Sequence, residues 1–314
     1  MNKHYLGVAA KGAAMGAADV VPGVSGGTIA FITGIYEELL ESLSSLGVKT
    51  VRTLFSDGIA AAWKQCNGNF LLALFAGVLL SIFTLAKVIS LGLEHYPIVV
   101  WAFFFGLILA SVLPLSRKMG KWAWRDWVAL VLGLLLAFAV SELRPTEVSP
   151  TPLNLFLGGC IAICAMILPG ISGAFILLIV GLYPDVLEAV HNFDLGKLIF
   201  VGLGAITGLM LFSRVLVWLL HHFHNVTLAF LVGILIGSLK IVWPWKLASA
   251  GGGEGEGARI ELMSNVPPWV FATETGQPSY LVAACVAALV GAALVILIEK
   301  LGYDSAGQTG SQNV

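Results

Sequence analysis

Six apolar stretches dominate this chain, at 70–93, 97–115, 127–143, 198–220, 226–243 and 280–299. Each is close to the roughly 20 residues that an α-helix needs to cross a bilayer. Hydrocarbon offers backbone N–H and C=O groups no partner, so each stretch must satisfy its own, which predicts helices. Composition agrees: 58% of residues are hydrophobic and 11% charged, with mean hydropathy +0.92, whereas a soluble domain carries about 25% charged residues. The chain is read as an all-α integral membrane protein. Its net charge of −1 says little by itself, but no stretch is basic enough to bind nucleic acid.

Two more apolar stretches, 8–36 and 153–184, are broken in the middle by "VVPGVSGGTIAF" (20–31) and "ILPGISGAFIL" (167–177). At an offset of 147, residues 18–43 match residues 165–190 at eleven of 26 positions, including Pro22/Pro169, Gly23/Gly170, Ser25/Ser172, Gly26/Gly173, Gly34/Gly181, Tyr36/Tyr183 and Glu41/Glu188. Shared greasiness would match Ile, Leu and Ala, but not that run. At an offset of 127, Gly77 meets Gly204, Lys87 meets Arg214, and "WAFFFGLILAS" meets "LAFLVGILIGS". The unit is one broken segment plus three spans, present twice: 1–150 with an insert at 44–66, then 151–302, then a tail at 303–314.

If each broken segment crosses fully, the chain has eight spans and parallel halves. If each dips in and returns, the halves are inverted. Charge bias selects the second reading, because Lys and Arg concentrate on the cytoplasmic side. Lys49, Arg52 and Lys64 face one Asp57 in 44–66, and Arg117, Lys118, Lys121 and Arg125 face Asp126 in 116–126. Carboxylates dominate 141–152, 185–197 and 244–279. The expected topology has two re-entrant hairpins and both termini inside. Inverted repeats with discontinuous helices are a transporter arrangement; a channel at the repeat interface is the other use of such symmetry.

A helix that begins at mid-membrane points free N–H groups and a partial positive charge at whatever sits there, which suits an anion. Pro22 suits a first helical turn. Gly23, Gly26 and Gly27 allow close approach, and Ser25, Ser172 and Thr28 add hydroxyls. Pro169, Gly170 and Gly173 repeat the pattern. A tight hairpin tip serving packing alone is the competing reading. Lys87 and Arg214, each about seven residues inside a span, are the cations expected to neutralise the anion. Asp19 has Met166 as its counterpart and can carry a coupling proton or pair with Lys11 or Lys87. Glu41 and Glu188 are further proton-coupling candidates, although their place where the half-helices leave the membrane favours capping or solvation.

Other features read as bland. Cys66, Cys160, Cys164 and Cys285 lack metal spacing and read as packing residues. "HHFHN" (221–225) is an exposed loop with no carboxylate or Cys beside it in sequence, so no metal site is expected. "KWAWRDW" (121–127), and Trp243 with Trp245 on the opposite side, read as interfacial aromatic belts. "ASAGGGEGEGARIE" (248–261) reads as a flexible external loop. Lys11 interrupts the N-terminal apolar stretch, which is treated as mature sequence rather than a signal peptide. No catalytic triad, zinc motif or phosphate-binding nucleotide loop is present, so neither an enzyme nor an ATP-driven pump is expected, and no cofactor.

The first motif and its looser echo, with Ala174 in place of the second glycine, resemble the bacterial membrane family once called domain of unknown function 368, the polyprenyl-phosphate translocases. The resemblance spans roughly 5–300. It implies return of undecaprenyl phosphate from the outer to the inner leaflet of the cytoplasmic membrane, with the phosphate between the two tips. The residues alone give only an anion in an apolar setting. A transporter of a small soluble anion and a non-transporting membrane scaffold therefore stay open, as does the oligomeric state, a homodimer included.

Overall fold

The computed structural model describes residues 3–21, 24–143, 148–248 and 263–310. Helix α1 (Lys3–Asp19) is followed after a break by α2 (Gly26–Ile32) and α3 (Tyr36–Ser45). The insert forms α4 (Val48–Ser56) and α5 (Ile59–Gln65). Three long helices follow: α6 (Gly68–His95), α7 (Pro97–Lys118) and α8 (Trp124–Glu142). The second half repeats the order with α9 (Pro152–Ile167), α10 (Gly173–Ile179), α11 (Tyr183–His191), α12 (Leu195–His222) and α13 (His224–Ser238). A two-stranded antiparallel hairpin, β1 (Lys246–Ala248) and β2 (Met263–Asn265), and α14 (Pro268–Thr275) precede α15 (Leu281–Gly310). Helices α6, α7, α8, α12 and α15 are each long and apolar enough to cross a membrane; α13 is apolar but only 15 residues long. The chain is a multi-pass membrane protein.

The stretch 226–243 ends as helix five residues earlier than expected. The Lys240 and Ile241 carbonyls, which a continuing helix would use, accept instead from Asn265 Nδ2 at 2.7 Å and Lys246 Nζ at 2.5 Å, and Pro244 cannot prolong the helix. Most of 248–261, with the expected flexible loop, lies outside the described residues, as do Pro22, Gly23 and 144–147.

Both broken segments fold back on themselves. Helix α2 returns along α1: Gly26 N–H donates to Asp19 at one end, and Lys11 Nζ donates to the Thr33 carbonyl (3.0 Å) at the other. Gly173 of α10 likewise lies over the Ala162 carbonyl of α9, and α10 and α11 meet at a bend of 115°. Gly34 and Gly181, paired in the sequence match, turn the chain out of the two hairpins at φ +74° and +80°, a region that L side chains rarely adopt.

Glycine contacts carry the duplication into packing. Gly12 lies against the Leu74 carbonyl and Gly159 against that of Val201, its counterpart; Gly77 meets Ala9 and Gly204 meets Phe156 in the same way. These join α1 to α6 and α9 to α12 within each half. Between halves the contacts are exchanged. Gly106 of α7 lies on the Ala288 carbonyl of α15 while Gly233 of α13 lies on that of Leu130 in α8, and Gly291 on Phe103 matches Gly133 on Phe230. Leu130 and Gly133 pair with Ala288 and Gly291 at an offset of 158. Helices approach this closely only where no Cβ intervenes.

The two ends of the bundle differ. One gathers the α2–α3 turn, the C-terminal end of α7 and the α12–α13 turn, around Lys118, Glu37 and His224. The other gathers Glu142 with Lys240, and a cap in which Trp245 and Phe271 pack on Ile98, Ala102 and Ala284.

Candidate functional site

The two breaks meet inside the bundle. Ser25 Oγ donates to the Met166 carbonyl at 2.7 Å, and the Gly170 N–H donates to Thr28 Oγ1 at 2.8 Å. Ser25 and Thr28 are 1% and 0% exposed, so these bonds satisfy polar groups that would otherwise be costly to bury. Gly27 belongs here because a Cβ would press on the Met166 and Ile167 carbonyls.

The first tip has its own donors engaged. Gly26 N–H donates to Asp19 Oδ1 at 2.7 Å, Gly27 N–H to Ser25 Oγ at 3.1 Å, and Thr28 N–H to the Ser25 carbonyl at 2.9 Å. A carboxylate therefore sits at the N-terminus of α2, where an external anion was expected. Asp19 itself is exposed to solvent. Its partner is neither Lys11, which bonds Thr33, nor Lys87. The second tip is more open. Ser172 is half-buried and caps nothing with its side chain, and Ala174 is exposed. Pro169, Gly170 and Gly173 are buried, with Gly170 at φ +89° against Ser238.

The structure does not bring the two expected cations to the tips. Arg214 is exposed on α12 and donates through Nε to the Ser44 carbonyl (3.3 Å) and through Nη2 to that of Leu46 (3.2 Å), closing off the end of α3. Lys87 stands exposed on α6, with no hydrogen bond or ion pair among the described residues. Matching sequence positions put both at one depth of equivalent helices but said nothing of which way they face.

Glu41 and Glu188 are exposed, Glu41 beside His221 Nε2 at 3.2 Å and Glu188 in an ion pair with Lys197 at 4.0 Å. His224 meets Glu37 at 3.3 Å. The "HHFHN" turn thus does have carboxylates beside it, from α3, which sequence adjacency hid; no group of three metal-binding side chains forms among the described residues. Helix α3 thereby packs along α12 of the other half, whereas α11 packs along α12 of its own half, with Lys197 reaching Asp185 at 3.7 Å. Trp243 and Trp245 are not a lipid belt: their Nε1 groups donate to the Val266 and Ser279 carbonyls, and Trp245 is buried in the cap. The Trp122 and Trp127 rings lie 4.6 Å apart, tilted by 37°, beside an exposed Trp124. Cys160 and Cys164 pack at the Gly204 and Gly208 carbonyls, and the four cysteines are free.

Two facing helix breaks enclosed by membrane-length helices are the architecture of a membrane transporter. The sequence comparisons give the family. Residues 15–258 match the VCA0040-like family, described as undecaprenyl phosphate translocase-like, and the chain belongs to it. It is 46% identical over 298 residues to the polyprenyl-phosphate transporter of Vibrio cholerae serotype O1, covering 95% of this chain and 97% of that one. It is 31% identical over 252 residues to the polyprenyl-phosphate transporter of Staphylococcus aureus, covering 74% and 84%. No solved structure matches the chain. The family is one of transporters, not enzymes.

Proposed function

We propose that this protein carries a polyprenyl phosphate, undecaprenyl phosphate in the bacterial cytoplasmic membrane, from the outer to the inner leaflet, with its head group handled at the two hairpin tips. The observation that carries the reading is the Gly26 N–H bonded to the Asp19 carboxylate at 2.7 Å at the first tip. The tip already holds an oxyanion, so its chemistry suits one, and a phosphate can take the place of the carboxylate. Charge-assisted bonds of that kind are about twice as strong as neutral ones. Asp19 then acts as an internal stand-in. Protonating it frees the first tip, the substrate phosphate moves onto Gly26, Gly27 and Ser25, and Ser172 completes the site from the second tip.

The asymmetry of α3 and α11 supports alternating access by inverted halves. Here α3 holds one end against α12 through Arg214 and His221 and against the start of α13 through His224, while α11 stays with its own half. The charge bias makes the held end cytoplasmic and both termini cytoplasmic. In this reading the conformation faces the outer leaflet, and Arg214 secures the inner gate rather than binding phosphate. Glu41 and Glu188 serve as surface ion-pair partners, and the coupling proton rests on Asp19.

Proteoliposomes containing undecaprenyl phosphate, with a phosphatase added outside, test the reading. Protein-dependent transfer makes the inner-leaflet pool hydrolysable; a pool that stays protected contradicts lipid transport. Uptake of free phosphate by the same vesicles would favour a soluble-anion transporter instead.

A further inference from the structure

A groove lies where α7 meets α15, away from the tips. It measures about 630 Å³ and is lined by Leu109, Ala110, Leu113, Pro114 and Ile296, with Arg117 and Lys300 beside them. Leu109 and Leu113 are 52% and 57% exposed, so the groove opens sideways, where acyl chains lie. Pro114 lies inside α7 and has no N–H for the Ala110 carbonyl one turn back. Among the described residues neither Arg117 nor Lys300 makes an ion pair. Two cations at the end of an apolar groove have the pattern of a receptor for an anion on an apolar chain.

The internal duplication supplies a comparison. By the offsets of 127 and 158, Leu113, Pro114, Ile296 and Lys300 correspond to Lys240, Ile241, Phe138 and Glu142 at the α13–α8 contact of the other end. There the arrangement is self-sufficient: Lys240 pairs with Glu142 and lies over the Phe138 ring at 4.0 Å. The α7–α15 version replaces the carboxylate with Lys300 and the internal lysine with Leu113. The same scaffold position is neutralised from within at one end and, among the described residues, left with two cations at the other.

From this difference we infer that the α7–α15 groove binds a phosphate monoester on a single apolar chain, the landing site for the transported lipid in the cytoplasmic leaflet. A monoester carries about −1.5 to −2 charges at neutral pH, which two cations match; a phosphodiester membrane lipid carries one. The inference rests on the proposed function for the identity of the lipid and for the side of the membrane.

The test uses the full chain in phosphatidylcholine nanodiscs with a photoreactive polyprenyl monophosphate, and maps the labelled peptides. Labelling is expected in 109–114 and around Ile296, about tenfold weaker in Arg117→Gln/Lys300→Gln, and weaker also in Leu113→Trp, which fills the groove. Both variants alter exposed positions, and unchanged melting temperatures establish that they fold. Labelling confined to the tips would overturn the groove site and leave the transport reading standing. Groove labelling that excess phosphatidylglycerol competes away as well as unlabelled polyprenyl phosphate does would overturn it in favour of a general phospholipid site. No competable labelling anywhere would sink both readings.

Discussion

The Asp19 carboxylate accepts the Gly26 N–H at 2.7 Å across the first hairpin. The bond closes the break between α1 and α2 and puts a removable negative charge at the start of α2. Asp19→Asn keeps an acceptor there but no charge. The variant is expected to fold, and its binding of a prenyl sulfate, whose head group does not titrate near neutrality, should not change with pH. Wild-type binding should strengthen as pH falls and Asp19 takes up a proton. Equal pH profiles for the two proteins, read by equilibrium binding in nanodiscs, would remove Asp19 from the mechanism.

Gly204 lies against the Phe156 carbonyl, where a Cβ would overlap backbone, whereas a Cβ on Gly202 would meet nothing within 4 Å. Gly204→Ala is therefore expected to destabilise by about 1–3 kcal/mol, and Gly202→Ala to be neutral or slightly stabilising through helix propensity. Thermal melts in detergent read the contrast. Gly77→Ala should behave like Gly204→Ala, because Gly77 makes the equivalent contact with Ala9.

Arg214 holds the end of α3 through the Ser44 and Leu46 carbonyls. Removing it with Arg214→Gln should loosen α3 from α12 while barely changing global stability, since the group is exposed and exposed charge interactions are worth little. A cysteine at Ser45 in a cysteine-free background should then react faster with a water-soluble maleimide added from the cytoplasmic side. An unchanged rate would mean that Arg214 is not what holds this gate.

Lys246 lies in the cap, over the Trp101 ring at 4.4 Å, and burial pushes its ammonium down to about 8. Between about 8 and the usual lysine value the unfolded chain binds more protons than the folded one, so cap stability should rise with pH across that window. Lys246→Met should abolish the rise. Tryptophan-detected melting at pH 7.5 and 9.5 checks the sign: a wild-type cap that weakens with increasing pH would contradict it.

The spans and the duplication were legible in the sequence because both depend on local signals. Hydropathy outlined α6, α7, α8, α12 and α15, and the matched Pro, Gly, Ser and Tyr residues located both hairpins. Gly34 and Gly181 recur for a reason visible only in the backbone, their positive φ. What could not be read depended on partners distant in the chain. Arg214 looked like a substrate cation because its depth was known and its neighbour α3 was not. The carboxylates beside His221 and His224 are 180 and 187 residues away. The cap strands and α14 are short, and Trp243 and Trp245 beside them resemble a belt in sequence because their hydrogen bonds to Val266 and Ser279 come from distant residues.

In the proposed mechanism the tips handle a lipid phosphate that this protein moves between leaflets. The most direct measurement is the rate at which inner-leaflet undecaprenyl phosphate becomes accessible to external phosphatase, for wild type and for Ser172→Leu, which places an apolar side chain at the open tip without removing any cap. Wild type is expected to give rapid protein-dependent access, lost in Ser172→Leu at an unchanged melting temperature. Equal rates for the two proteins would contradict the assignment of the head group to the tips.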